Sequence, residues 1–164
     1  MLLITAPDDI DYRYNKSTTV FLGGSIANGE VEDWQKETIE KFRGYSNEHL
    51  TIFNPRRDDY DTSTIQTTEN EYLVKQINWE LDALEEADYV LMYFHPDTYA
   101  PISLLELGLH ADTICKVVVC CPDDFYRQAN VEIVCERYRV AFHKDLDAAI
   151  REIKSYIDDD QSLD

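Results

Sequence analysis

The chain is short of positive charge. Fifteen lysines and arginines stand against thirty-three acids, a formal net charge of -18 over 164 residues. A protein that wraps duplex nucleic acid needs a basic face, so this balance argues against that class of partner. A small nucleotide-like ligand is still compatible, since two or three local bases can hold a phosphate. Long hydrophobic runs are also missing. No stretch approaches the roughly 20 apolar residues that span a bilayer, and no membrane partner is expected. The opening MLLITAPDDIDYRYNK lacks the basic start and long apolar stretch of a secretory signal, so a cytoplasmic protein is expected. No two of Cys115, Cys120, Cys121 and Cys135 form a C-x-x-C pair, and they read as buried reduced thiols. His95, His110 and His143 have no metal-ligand spacing. The turn GGSIANG is not the dinucleotide fingerprint G-x-G-x-x-G, and no P-loop lysine follows it. No metal and no organic cofactor is called for.

Alternation is what the sequence does have. Short apolar runs (TTVFLGG, LTIFNP, DYVLMYF, KVVVCCP, VAF) take turns with longer stretches of helical pattern (EDWQKETIEKF, EYLVKQINWELDALEEA, PISLLELGLHAD, NVEIVCERYR, LDAAIREIKSYI). Five such rounds predict an α/β domain with a mostly parallel, five-stranded sheet and helices on both faces. One domain is expected over 1–157, followed by an acidic, solvated tail over 158–164. In such folds ligands bind beyond the carboxyl ends of the strands, near the switch in strand order. That rule directs attention to Gly23–Asn28, Asn54–Asp59, His95–Pro101 and Pro122–Asn130.

Two glutamates are out of place. At 100° per residue, Leu73, Ile77, Leu81, Leu84 and Ala87 form one stripe, and Glu80 falls inside it. Asp82, Glu85 and Glu86 fall on the solvent side. Trp79 lies off the stripe; it either packs on the sheet or stacks on a base at a cleft rim. In PISLLELGLHA, Ile102, Leu105 and Leu109 share one side, and Leu104, Leu107 and Ala111 share another. Glu106, His110 and Ser103 make a narrow polar wedge between them, while Gly108 lets another backbone come close. A lone ionised carboxylate on a buried face costs several kcal/mol unless it is partnered or takes a raised pKa. One reading makes each glutamate a hydrogen-bonded support of the fold. Two inward glutamates on helices flanking one central strand also fit the breaking of a glycosidic bond, with one carboxylate as nucleophile and the other managing the leaving group's proton.

The ordered set VFLGGSI, FNPRRDDYD, QINWELDALEEADYVLMYF, PISLLELG and NVEIVCERY resembles the nucleoside 2-deoxyribosyltransferase-like proteins over roughly Thr18 to Phe142. These are relatives of the nucleoside 2-deoxyribosyltransferases and of the deoxynucleoside 5'-monophosphate N-glycosidases. The resemblance implies a flavodoxin-like (Rossmann-like) three-layer α/β fold. It implies transfer of 2-deoxyribose between nucleobases, with cleavage of the N-glycosidic bond through a covalent glutamyl-deoxyribosyl intermediate and no cofactor. Glu106 then matches the nucleophile of the "xELG"-type helix. Glu80 matches the acid that handles the base, where the better-studied relatives carry aspartate. Gly23, Gly24 and Ser25 match the segment beside the base or sugar. Asn130 matches an amide lent to the sugar's 5' end by a neighbouring subunit, which implies a homo-oligomer.

Cleft position adds Asn54, Arg56, Asp58, Trp79, Asp97 and Ser103 as candidate substrate contacts. Ser103 either finishes the helix start or orients Glu106. The loop HPDTYAPIS is acidic and replaces the serine- and glycine-rich phosphate loop of the glycosidases, so free nucleosides are expected over monophosphates. Arg56 and Arg57 either hold a phosphate or pair with Asp58, Asp59 and Asp61. The expected partners are thus small molecules, a nucleoside and a nucleobase. Two other readings remain at this point. One is a hydrolytic N-glycosidase of deoxynucleosides, nucleoside monophosphates or NAD, and the other is a nucleotide-sensing module without turnover.

Overall fold

A computed structural model describes residues 1–10, 17–26, 31–45, 49–57, 63, 65–112 and 116–161. Its sheet has six strands, not the five expected: β1 (Leu2–Thr5), β2 (Thr18–Gly24), β3 (Leu50–Asn54), β4 (Tyr89–Tyr93), β5 (Lys116–Cys120) and β6 (Ala141–His143). The extra strand is β1, which adds to the edge by pairing parallel with β3, Leu3 opposite Ile52. LLIT is too short to show a period and is flanked by no turn signal on its N-terminal side, so pattern alone passes over it. All the strand pairs are parallel.

Each inner strand buries both of its faces. Val20, Leu22, Ile52, Leu91 and Val118 point to one side, against Trp34, Ile39 and Phe42 of α1 (Trp34–Arg43) and Ile150, Ile153 and Ile157 of α5 (Leu146–Gln161). Phe21, Phe53, Val90, Met92 and Val119 point to the other. There they meet α2 (Glu71–Glu86), α3 (Pro101–His110) and α4 (Gln128–Tyr138) through residues such as Trp79, Leu84, Leu107 and Val131. Burial on both faces is why these strands read as continuous apolar runs. Cys120, Cys121 and Cys135 are free, buried thiols, and burial first of all pushes each up to about 12; Cys115 lies outside the described residues. α5 continues through 158–161, the first half of the stretch expected to be tail, and it is tied down there. Tyr45 donates to Asp158 and Tyr89 to Asp160. Among the described residues no helix is long and apolar enough to cross a membrane.

The strand order β1-β3-β2-β4-β5-β6 contains a reversal beside β2. From β2 the chain moves outward to β3, then returns to the other side of β2 for β4. The connections leaving β2 and β4 therefore diverge to opposite faces of the sheet, and a crevice opens above their carboxyl ends. Gly23–Ser25 and the loop from Phe94 to Ala100 stand at that point.

Candidate active site

The floor of the crevice is a fixed piece of backbone. Gly24 has φ 132°, and a Cβ there would lie 2.2 Å from the Tyr93 carbonyl oxygen. Only glycine lets β2 run this close to β4 in that conformation. Directly after it, a closed ring of hydrogen bonds ties the two strand ends together. The His95 amide donates to Ser25 Oγ (2.9 Å), Ser25 and Thr98 share a hydroxyl bond of 2.7 Å, and Thr98 Oγ1 donates to the His95 carbonyl (2.9 Å). Because Thr98 spends its proton on His95, Ser25 must donate to Thr98. Trp34 Nε1 bonds the Ser25 carbonyl at 2.8 Å from the other side. Ser25 was expected to touch substrate; its hydroxyl is committed instead to holding the 95–98 loop.

α3 is turned opposite to what its apolar residues alone would favour. Ser103 and Glu106 are 5% and 8% exposed, while Ile102, Leu105 and Leu109 are 60%, 59% and 55% exposed. The polar wedge faces in and an apolar row faces solvent. Loop geometry sets this rotation: Ala100 enters the helix from the left-handed region (φ 41°), and Pro101 occupies its first position. Glu106 makes no hydrogen bond to any described residue, and neither does the Ser103 hydroxyl. Among the described residues no backbone group or tyrosine supports Glu106 by a hydrogen bond. Burial, and then the charge of Glu80, push its pKa up to about 8.

Glu80 reaches the same place from α2. Burial raises its pKa, and a hydrogen bond from Gln76 Nε2 to its Oε1 (2.7 Å) opposes that rise. The buried face of α2 is rotated by about 60° from the expected stripe. Leu73, Gln76, Trp79, Ala83 and Leu84 are buried, whereas Ile77 and Leu81 are exposed. The cause is Trp79, whose ring packs in the core and whose Nε1 donates to the Asp8 carbonyl at 2.7 Å. Trp79 is thus a packing residue. Gln76, which the sequence reading missed, stands one turn before Glu80 on the same face.

Other expected residues are scattered. Asn54 accepts the Arg56 amide (3.1 Å) and shapes the turn after β3. Arg56 leans on α1 and the segment before it, toward Asp33 Oδ2 (3.6 Å), Gln35 and the carbonyls of Val31 and Glu32. Asp58, with Asp59 and Asp61, lies outside the described residues. Asp97 and Asn130 are exposed. Burial lowers the pKa of the half-buried His110, and the charge of Glu85 nearby opposes that. Shallow surface hollows run along α1 and between residues 7–10 and α2, and neither includes Glu80 or Glu106. Among the described residues no group of three or more His, Cys, Asp or Glu could hold a metal.

What the arrangement can do is limited and specific. Two largely buried carboxyl groups feel each other's charge, one with no hydrogen-bond partner among the described residues and one with a single donor, Gln76. Such a pair holds one proton over a middle pH range, with one carboxyl neutral and the other ionised.

A family model described as "Nucleoside 2-deoxyribosyltransferase like" matches residues 17–125, which include both glutamates and exclude Asn130. Curated protein sequences give no match. Among solved structures the fold is similar to a conserved protein from Enterococcus faecalis V583. The TM-score is 0.61 at 12% identity, over 85% of this chain and 99% of that one.

Proposed function

Because the chain belongs to the nucleoside 2-deoxyribosyltransferase-like family, we propose that it breaks the N-glycosidic bond of a 2'-deoxynucleoside, with Glu106 as nucleophile and Glu80 as acid–base group. The observation that carries this reading is the inverted burial of α3. A helix hides a glutamate that has no hydrogen-bond partner among the described residues and exposes three large apolar side chains instead. That placement costs stability, and a polar ligand meeting the carboxylate gives it a purpose.

In the first step a Glu106 carboxylate oxygen attacks C1'. The C1'–N bond breaks, its electron pair goes to the base, and Glu80 gives that base its proton. A glycosyl ester on Glu106, a free base and ionised Glu80 result. In the second step Glu80 removes a proton from an incoming base, whose nitrogen attacks C1'; the ester bond breaks and Glu106 is regenerated. Water in place of the second base gives hydrolysis. In the ligand-free protein burial pushes the pKa of both carboxyl groups up, and the hydrogen bond from Gln76 opposes that rise at Glu80. Substrate sets which of the two holds the proton. An acceptor atom of the base facing Glu80 favours the proton there, and the electron-poor anomeric carbon favours charge on Glu106.

Free nucleosides are the substrate class we favour over monophosphates, since Asp97 sits on the β4–α3 loop and Arg56 is engaged with Asp33 and Gln35. A homo-oligomer is part of the proposal. Copies of a chain with net charge -18 repel over most of their surface, and the uncharged row Ile102, Leu105 and Leu109 offers a place to meet. Asn130, exposed at the start of α4, would serve a neighbour's site. The deciding experiment is incubation with deoxyadenosine and a free pyrimidine base, followed by product separation. A new deoxynucleoside establishes transfer, and free adenine alone establishes hydrolysis. Binding without product, across deoxynucleosides, monophosphates and NAD, would overturn the enzymatic reading in favour of a sensor.

A further inference from the structure

Gln76 is almost fully buried, and its side-chain amide is used at every corner. Nε2 donates to the Pro55 carbonyl (3.2 Å) and to Glu80 Oε1 (2.7 Å), while Oε1 accepts from Arg57 Nη1 (3.4 Å). The orientation of this amide is not free. A proline carbonyl can only accept and a guanidinium can only donate, so turning the amide over would set acceptor against acceptor and donor against donor. Arg57 is itself steadied 4.7 Å above the Tyr72 ring.

We infer that Gln76 is a positioning residue that grips Glu80 by one carboxyl oxygen, Oε1, and reserves the other, Oε2, for the leaving base. An N–H aimed at Oε1 makes it the carbonyl-like oxygen, since a carbonyl oxygen accepts better than a hydroxyl, and so favours the proton on Oε2. When Glu80 is protonated, the hydrogen sits on Oε2. When it is ionised, Oε1 is already satisfied and Oε2 is the oxygen that needs a partner. The turn after β3 (Pro55, Arg57) thus dictates which oxygen of an α2 residue works. The inference rests on the reading of Glu80 as the acid–base group.

The test is a carboxyl-carbon NMR titration of glutamate-labelled protein, in wild type, Gln76→Met and Gln76→Asn, with Glu80→Gln assigning the signal. Among the described residues, the groups around Glu80 are Gln76 on its own helix, Glu106 from α3 and, one contact away, Arg57. Loss of a donor to a charged oxygen raises the Glu80 midpoint by about one unit or more. Asparagine, one methylene too short to reach both Pro55 and Glu80, shifts it in the same direction and guards against a methionine variant that does not fold. An unmoved Glu80 midpoint in a folded variant overturns the inference. The titration needs no turnover, so the two proposals separate. A shifted Glu80 with no product from any deoxynucleoside keeps the grip and removes the function. If the protein turns over, the upper limb of the pH–rate profile moves with Glu80 and kcat falls more than KM changes; a purely structural glutamine would move neither.

Discussion

Replacing Glu106 by glutamine should abolish turnover and make the protein more stable. Glutamine keeps the shape of the side chain, removes the charge and cannot act as the carboxylate nucleophile. The size of the stability gain follows from the pKa. A glutamate titrates near 4.5 when exposed and at about 8 in this cleft. Between those values the folded protein keeps a proton that the unfolded chain has released, so stability falls as pH rises through that window. Above pH 8 the full shift is worth about 5 kcal/mol, and at pH 7 about 3 kcal/mol, as a ceiling. Water entry and local relaxation reduce what is realised. Even a third of the pH 7 figure, about 1 kcal/mol, moves the melting temperature of a chain this size by about 2–4 °C. Thermal unfolding followed by circular dichroism should therefore give similar melts for wild type and Glu106→Gln at pH 4. The variant should melt several degrees higher at pH 7 and higher still at pH 9. A difference that does not change with pH, or a variant that loses ground as pH rises, would refute the assignment of a buried, unpartnered carboxylate.

Gly24→Ala should destabilise the fold by at least about 2 kcal/mol, because it combines a left-sided φ with a clash against the Tyr93 carbonyl; a denaturant midpoint equal to wild type would contradict that close approach. If the pair works with one shared proton, kcat/KM should fall above pH 8, where the last proton leaves; a profile flat to pH 10 would argue against acid catalysis by this pair. Leu105→Asp should leave the circular dichroism spectrum unchanged and lower the molar mass in light scattering to that of one chain. Wild-type protein that is already monomeric at micromolar concentration would remove the oligomer from the proposal.

The inner strands were legible because a strand buried on both faces has nothing but apolar residues to show, and DYVLMYF or KVVVCCP can be little else. β1 was not, since four residues at a sheet edge carry no period. The rotation of α2 was misread because a wheel weighs Ile77 and Leu81 as core, whereas Trp79, with an indole N–H that needs an acceptor, decided the orientation from outside the helix. Glu106 was legible as an anomaly, as was its company with Ser103. Its lack of a hydrogen-bond partner among the described residues was not, because that is a property of the surroundings. Gln76 carried the one usable signal, a spacing of four from Glu80, which places two polar heads on one helix face. The Ser25–Thr98–His95 ring joins residues 70 or more positions apart, and no local pattern announces that.

The bond from Trp79 to the carbonyl of Asp8 has a consequence beyond the packing of the indole. Residue 79 precedes the proposed acid directly, and Asp8 follows the strand at the far edge of the sheet. Residues 1–10 therefore do two things: Leu2–Thr5 closes the edge of the sheet, and Asp8 just beyond it is buckled to the helix bearing Glu80. A change that loosens the edge strand would be felt at the helix that carries the proposed acid.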